Sequence, residues 1–322
     1  IIYFVMHLSR DTKLFIAFLL IYFFISWILV WTYLNIHMHY VPDYWEWRHN
    51  TLLRGDSNGS NQFRLLSFWL PELAHRAFGQ PIFASYLMVR FVFTFLMFCV
   101  FHLFLLKWFE HQKAFLSVIF LAAITPVTYI RSFQESDIIL QFLFLLGIWL
   151  IVYKKIVPLA ILIFLGTFAK ETIVFLIPLY FFVGWNKNKK TKIIVYCLLL
   201  GLVWLGAFHI TREMFYEGHN NKLWQLPHNI AQVATYFKYN FLVNAHLLYV
   251  PLFGAFWILP FIRLKDKPYF FRRSAPFIIL FTVLHFIFGW PEETRIMLPL
   301  AFLVIPSGIL ALFPNNKQAV IK

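Results

Sequence analysis

The sequence predicts an all-α polytopic membrane protein with about ten transmembrane helices, counted from its apolar runs. Composition points there first: 61% of the 322 residues are hydrophobic, 13% are charged and 41 are phenylalanine. A soluble globule cannot hide that much apolar surface. Runs of membrane-spanning length lie near 14–34, 82–106, 114–130, 138–153, 193–211, 245–262, 274–290 and 296–313, with a longer one at 156–184. No stretch is left for a soluble domain, so residues 1–322 read as a single transmembrane domain. No small-residue cleavage site follows the first run, which therefore reads as a retained helix and not a signal peptide. Cys99 and Cys197 both sit in apolar runs and read as buried small hydrophobes.

The 156–184 run contains "GTFAKETIVFLIPL" (166–179), which sets Lys170 beside Glu171 in an otherwise apolar stretch. Loop charges decide how often this run crosses. With two crossings, one face receives 17 of the 28 Lys and Arg residues and only Asp11, Glu110 and Asp266, so the whole net charge of +14 lies there. The other face holds 11 residues of each sign. A single crossing would reverse the bias expected of cytoplasmic loops. Two crossings put both termini in the cytoplasm. Sparse cysteines and abundant Phe, Ile and Lys fit a bacterial inner membrane. Each arm of the hairpin is then about 14 residues, or roughly 21 Å, against a hydrocarbon core of about 30 Å. A charged apex at that depth is expected to line a polar cavity open to the outer face.

The outer loops supply walls for such a cavity. The first (35–81, periplasmic on this topology) places Asp43 among Tyr40, Tyr44, Trp45 and Trp47. A carboxylate beside interfacial rings has the ingredients of a general base or a cation ligand, and the rings could stack on a sugar or a prenyl chain. From Phe63, the residues Arg64, Ser67, Glu72, His75, Arg76 and Gly79 recur near helical spacing, predicting an outer-leaflet interfacial helix near 63–80, started or interrupted by Pro71. "YIRSFQESD" (129–137), with Arg131, Glu135 and Asp137, reads equally as a cavity wall or a solvated turn. Residues 212–244 form a loop long enough to act as a lid. "GWPEETRIMLPL" (289–300) crowds Glu292, Glu293 and Arg295 into a short turn, and a guanidinium there suits a phosphate.

"QFRLLSFWLPEL" (62–73), "AKET" (169–172) and "EETRIMLPL" (292–300), following an acid in the first outer loop, resemble the GT-C superfamily of membrane glycosyltransferases, in its small bacterial type without a C-terminal soluble domain. The resemblance implies a polyprenyl-phosphate-linked sugar as donor and an inverting transfer to a lipid, glycan or protein acceptor. It implies Asp43, Lys170 and Glu171 as catalytic residues. Asp43 would accept the acceptor's proton, Lys170 would neutralise the leaving phosphate with Arg295 and Arg64, and Glu171 would orient Lys170 or an acceptor hydroxyl. Gln62, Arg64, Trp45, Glu293 and Arg295 would contact substrate. No metal ligand set is assigned: His37 and His39 are two apart and HExxH is absent, so a divalent cation is not indicated. Membrane lipids are the expected surroundings, and nucleic acid is not an expected partner. Two alternatives stand beside this one. A non-catalytic membrane subunit would use the same charges to dock other proteins, and a transporter of lipid-linked substrates would place them along a path.

Overall fold

The computed structural model describes residues 10–37, 42–57, 60–129, 135–185, 190–214, 225–238, 252–289 and 293–314. Every regular element among them is helical. Seven helical segments are long and apolar enough to cross a membrane: Lys13–Ile36, Ile82–Leu105, His111–Thr128, Glu135–Val152, Lys190–Met214, Tyr269–Phe288 and Thr294–Leu312. The first is α1 (Arg10–Ile36). The loop that follows is itself structured, because Pro42 opens α2 (Pro42–Arg54) with Asp43 in its first turn, where an acid complements the helix dipole. The expected interfacial helix is α3 (Leu66–Phe78); it runs through Pro71 and ends where Gly79 adopts φ 63°.

The bundle continues with α4 (Ile82–Leu105), α5 (His111–Ile124) and α6 (Glu135–Val152), α4 packing against α1, α3 and α6. The 156–184 run is broken as its charges require. Helix α7 (Ile156–Thr167) stops before the apex, a 3-10 turn covers Glu171–Phe175, and α8 (Leu176–Gly184) returns. Gly166 permits this fold-back, since a Cβ there would lie 2.7 Å from Cγ1 of buried Ile173. The apex is tied to the interfacial helix, the Leu66 N–H donating to the Phe168 carbonyl at 3.0 Å.

Helix α9 (Lys190–Met214) lies along α7 and α8. Within the expected lid, the described part forms α10 (Leu226–Lys238), fastened to the end of α11 (Tyr269–Phe288): Asn229 Nδ2 donates to the carbonyls of Phe286 (2.6 Å) and Gly289 (2.7 Å). Residues 215–224 and 239–244 of that loop lie outside the described residues. The expected span at 245–262 is not a long helix in its described part. It forms 3-10 turns at Gly254–Trp257 and Leu259–Phe261, because Gly254 takes φ 49° and Pro260 lacks a donor. Seven long segments and a broken hairpin thus stand where about ten spans were expected. The last segment, a 3-10 turn at Thr294–Leu300 followed by α12 (Ala301–Leu312), is the protein's inner staff. In its most apolar window 83% of residues are buried by protein, against 17% for α9.

Candidate functional site

Four segments converge on the hairpin apex. Asp137, in the first turn of α6, accepts a hydrogen bond from Lys170 Nζ at one carboxylate oxygen and from Arg295 Nη1 (2.7 Å) at the other. Arg295 Nη2 also donates to Glu293 at 3.0 Å. Arg64, just ahead of α3, donates through Nη2 to Glu171 at 3.2 Å, and the Glu171 carbonyl accepts from Trp204 Nε1 at 3.0 Å. Arg212, at the end of α9, stacks its guanidinium 3.5 Å from the centre of the Phe63 ring, beside Arg64 in sequence and in space. Four cations thus meet three acids. Taking these groups out of water is costly, so each must be compensated nearly in full.

The compensation is incomplete in one respect. Arg64 Nε, Arg295 Nε and, next to Glu171 in sequence, the Thr172 hydroxyl are buried without a hydrogen-bond partner among the described residues. Buried donors are nearly always satisfied, so orphaned donors on two neighbouring cations are compatible with an acceptor from outside the chain. An anion with several oxygens is the acceptor that suits two guanidinium groups.

Of the residues expected from sequence, the structure brings together Lys170, Glu171, Arg64, Arg295 and Glu293. Asp137, in the segment that reads equally as a cavity wall or a solvated turn, is the anion shared by Lys170 and Arg295. Asp43 takes no part in these ion pairs: it is exposed, and its carboxylate makes no ion pair or hydrogen bond with a described residue. Beside it, Tyr44 and Trp47 stack with centroids 5.6 Å apart, and Trp47 is 60% exposed. Trp45 is a correction to the expectation. At 1% exposed it packs edge-on against Phe83 and Tyr86 and cannot present a ring to a ligand. Gln62 is likewise buried and turned inward, accepting from the Ser57 N–H (3.1 Å) and donating to the Leu52 carbonyl (2.8 Å), so it closes the turn between α2 and α3. Arg131, His39 and Glu292 lie outside the described residues, and among the described residues no group of three or more His, Cys, Asp or Glu could hold a metal ion.

A second buried ion pair lies one step back along α6. Glu135 accepts from Arg90 Nη2 (3.2 Å) and from Tyr33 Oη (3.4 Å), with the Arg90 guanidinium 3.5 Å from the Tyr33 ring centre. Nearby, α2 is locked to α3 through His49. Its Nε2 donates to Glu72 at 2.9 Å, so in the neutral ring Nδ1 accepts from Tyr86 Oη at 3.0 Å. Burial holds the His49 ring below its ordinary value of 6.5. Burial pushes Glu72 up, but hydrogen bonds from His49 and Arg76 outweigh it and hold its carboxyl below the ordinary 4.5.

Both shifts act in the same direction with pH. An unfolded His49 takes up a proton below about pH 6.5 that the folded ring refuses, and folded Glu72 resists a proton that the unfolded carboxyl accepts near pH 4.5. The α2–α3 unit is therefore expected to loosen as pH falls below about 6.5 and further near 4.5. Hydrogen exchange of residues 42–54 measured from pH 8 to pH 4 checks this, and His49→Gln should remove the upper step.

Fold and site together define an integral membrane protein with a buried, charged hairpin apex. No family model, curated protein or solved structure matches the chain.

Proposed function

We propose that the protein is a GT-C-like glycosyltransferase that moves a sugar from a polyprenyl-phosphate donor to an acceptor hydroxyl at the outer face of a bacterial inner membrane, its termini in the cytoplasm. The orphaned buried Nε–H donors of Arg64 and Arg295 carry this proposal, because both belong to the cations gathered around Asp137 at the apex. The acceptor oxygen attacks the anomeric carbon, the bond from that carbon to the phosphate oxygen breaks, and its electron pair leaves on the polyprenyl phosphate. The hydroxyl proton passes to a carboxylate. Glu135, Asp137, Glu171 and Glu293 are all engaged with cations, whereas Asp43 is open and flanked by the Tyr44–Trp47 stack. Asp43 is the base in this scheme. Lys170, Arg64 and Arg295 stabilise charge that grows on the phosphate, an effect typically of about 2.7–4 kcal/mol for one well-placed donor.

One observation favours a second reading, a non-catalytic subunit of a membrane complex: each acid in the cluster already has a cationic partner, as a purely structural clamp requires.

The test combines a density map of the protein in lipid containing polyprenyl phosphate with turnover of a polyprenyl-phosphate sugar. Expected are phosphate density at Arg64 and Arg295 and, in Asp43→Asn, transfer reduced by about 10²–10⁴-fold with unchanged melting. Outer helices covered by a second polypeptide, together with an Asp43→Asn variant that complements fully in cells, would establish the subunit reading.

A further inference from the structure

At the other end of the α8 arm, about 14 residues and so roughly 21 Å from the charged apex, a cavity of about 470 Å³ opens between the hairpin and α11. Phe181, Phe182 and Trp185 line one side; Arg272, Arg273 and Pro276 line the other. Neither arginine has a carboxylate partner among the described residues. Each guanidinium rests instead near the Tyr269 ring, at 5.9 and 5.4 Å. Asp266, the acid nearest in sequence, is engaged by Arg263 at 3.9 Å. Lys190 adds a further positive charge, 5.6 Å from the Trp185 ring. This is also the end of the bundle that carries the surplus of basic loop residues in the sequence.

We infer that this cavity holds the phosphate headgroup of an anionic phospholipid, a site separate from the apex and independent of the transfer reaction. Two guanidinium forks without a carboxylate partner among the described residues supply the recognition of phosphate oxygens. They project from the first two turns of α11, where the helix dipole also favours an anion. The aromatic wall of Phe181, Phe182 and Trp185 gives the glycerol and upper acyl carbons an apolar surface of the kind that rings supply at membrane interfaces. A soluble anion would use the arginines but leave the aromatic wall without a partner, so the lining fits a lipid better than free phosphate.

The protein in phosphatidylcholine nanodiscs, titrated with phosphatidylglycerol, tests this by its melting temperature. The wild type is expected to gain stability with the anionic lipid, the R272Q/R273Q variant to lose that gain, and R263Q, altered at the same end but outside the cavity, to keep it. An R272Q/R273Q response equal to wild type would overturn the site. Equal protection of the wild type by inorganic phosphate alone would overturn its assignment to a lipid. Should the double variant not fold, native mass spectrometry of the unaltered protein decides: retention of one phosphatidylglycerol per chain in preference to phosphatidylcholine supports the site, and no such preference refutes it.

Discussion

Asp137→Asn is expected to destabilise the protein by about 3–5 kcal/mol, the range for removing one partner of a buried ion pair. The asparagine keeps the shape and can still accept hydrogen bonds, so the loss isolates charge. Lys170 is 4% exposed in its side chain and Arg295 is 12% exposed, leaving neither a route to water once their shared anion is gone. Arg295 keeps Glu293, whereas Lys170 keeps no acid in contact. Lys170 should therefore carry most of the damage, and Asp137→Asn combined with Lys170→Met should recover a substantial part of the stability, because removing both members of a buried pair is far less costly than removing one. Unfolding in denaturant in mild detergent measures all three proteins. Equal stability of Asp137→Asn and wild type would mean that the apex is solvated and is not a buried cluster.

The largest effect on turnover is expected from Arg64→Gln, a fall of about 10²–10³-fold in sugar transfer. Folding should suffer much less than in Asp137→Asn, because the partner of Arg64, Glu171, is 32% exposed in its side chain and can be hydrated when the guanidinium is removed. Arg64→Lys restores the charge but not the Nε–H or the planar fork, and should recover only part of the rate. Phosphate affinity, read from the concentration of polyprenyl phosphate that inhibits transfer, should weaken in the same order. Wild-type turnover in Arg64→Gln would remove Arg64 from the phosphate site and with it the main support for the orphaned donors as a ligand cradle.

What could be read from sequence, and what could not, divides along physical lines. A Lys-Glu pair inside an apolar run is costly wherever it sits, so the broken hairpin and its role as a gathering point were legible from Lys170 and Glu171 alone. Arg64 and Arg295 were legible as cations on the same face. Asp137 was not singled out, because its partners lie 33 and 158 residues away and "QESD" looks the same in a solvated turn. Trp45 and Trp47 are chemically identical in sequence; only the face of α2 packed against Tyr86 makes one of them core and leaves the other exposed. Gln62 misled for a related reason, a buried amide that closes a turn being indistinguishable from one that meets a ligand. The run at 245–262 has the composition of a span, yet Gly254 and Pro260 carry more weight than hydropathy in its described part.

The buried position of the last segment has a consequence for the order in which the chain is made. Lys170 follows Asp137 by 33 residues, whereas Arg295 follows by 158. At a ribosomal rate of about 5–20 residues per second, Asp137 waits roughly 2–7 s for the lysine and roughly 8–30 s for the arginine. For most of that interval Lys170 is the only cation in direct contact with it, Arg64 acting from further away, and the slot that α12 will fill stands open to lipid. A truncated nascent chain should therefore be a target for membrane quality control until Arg295 is delivered and the ion cluster is complete.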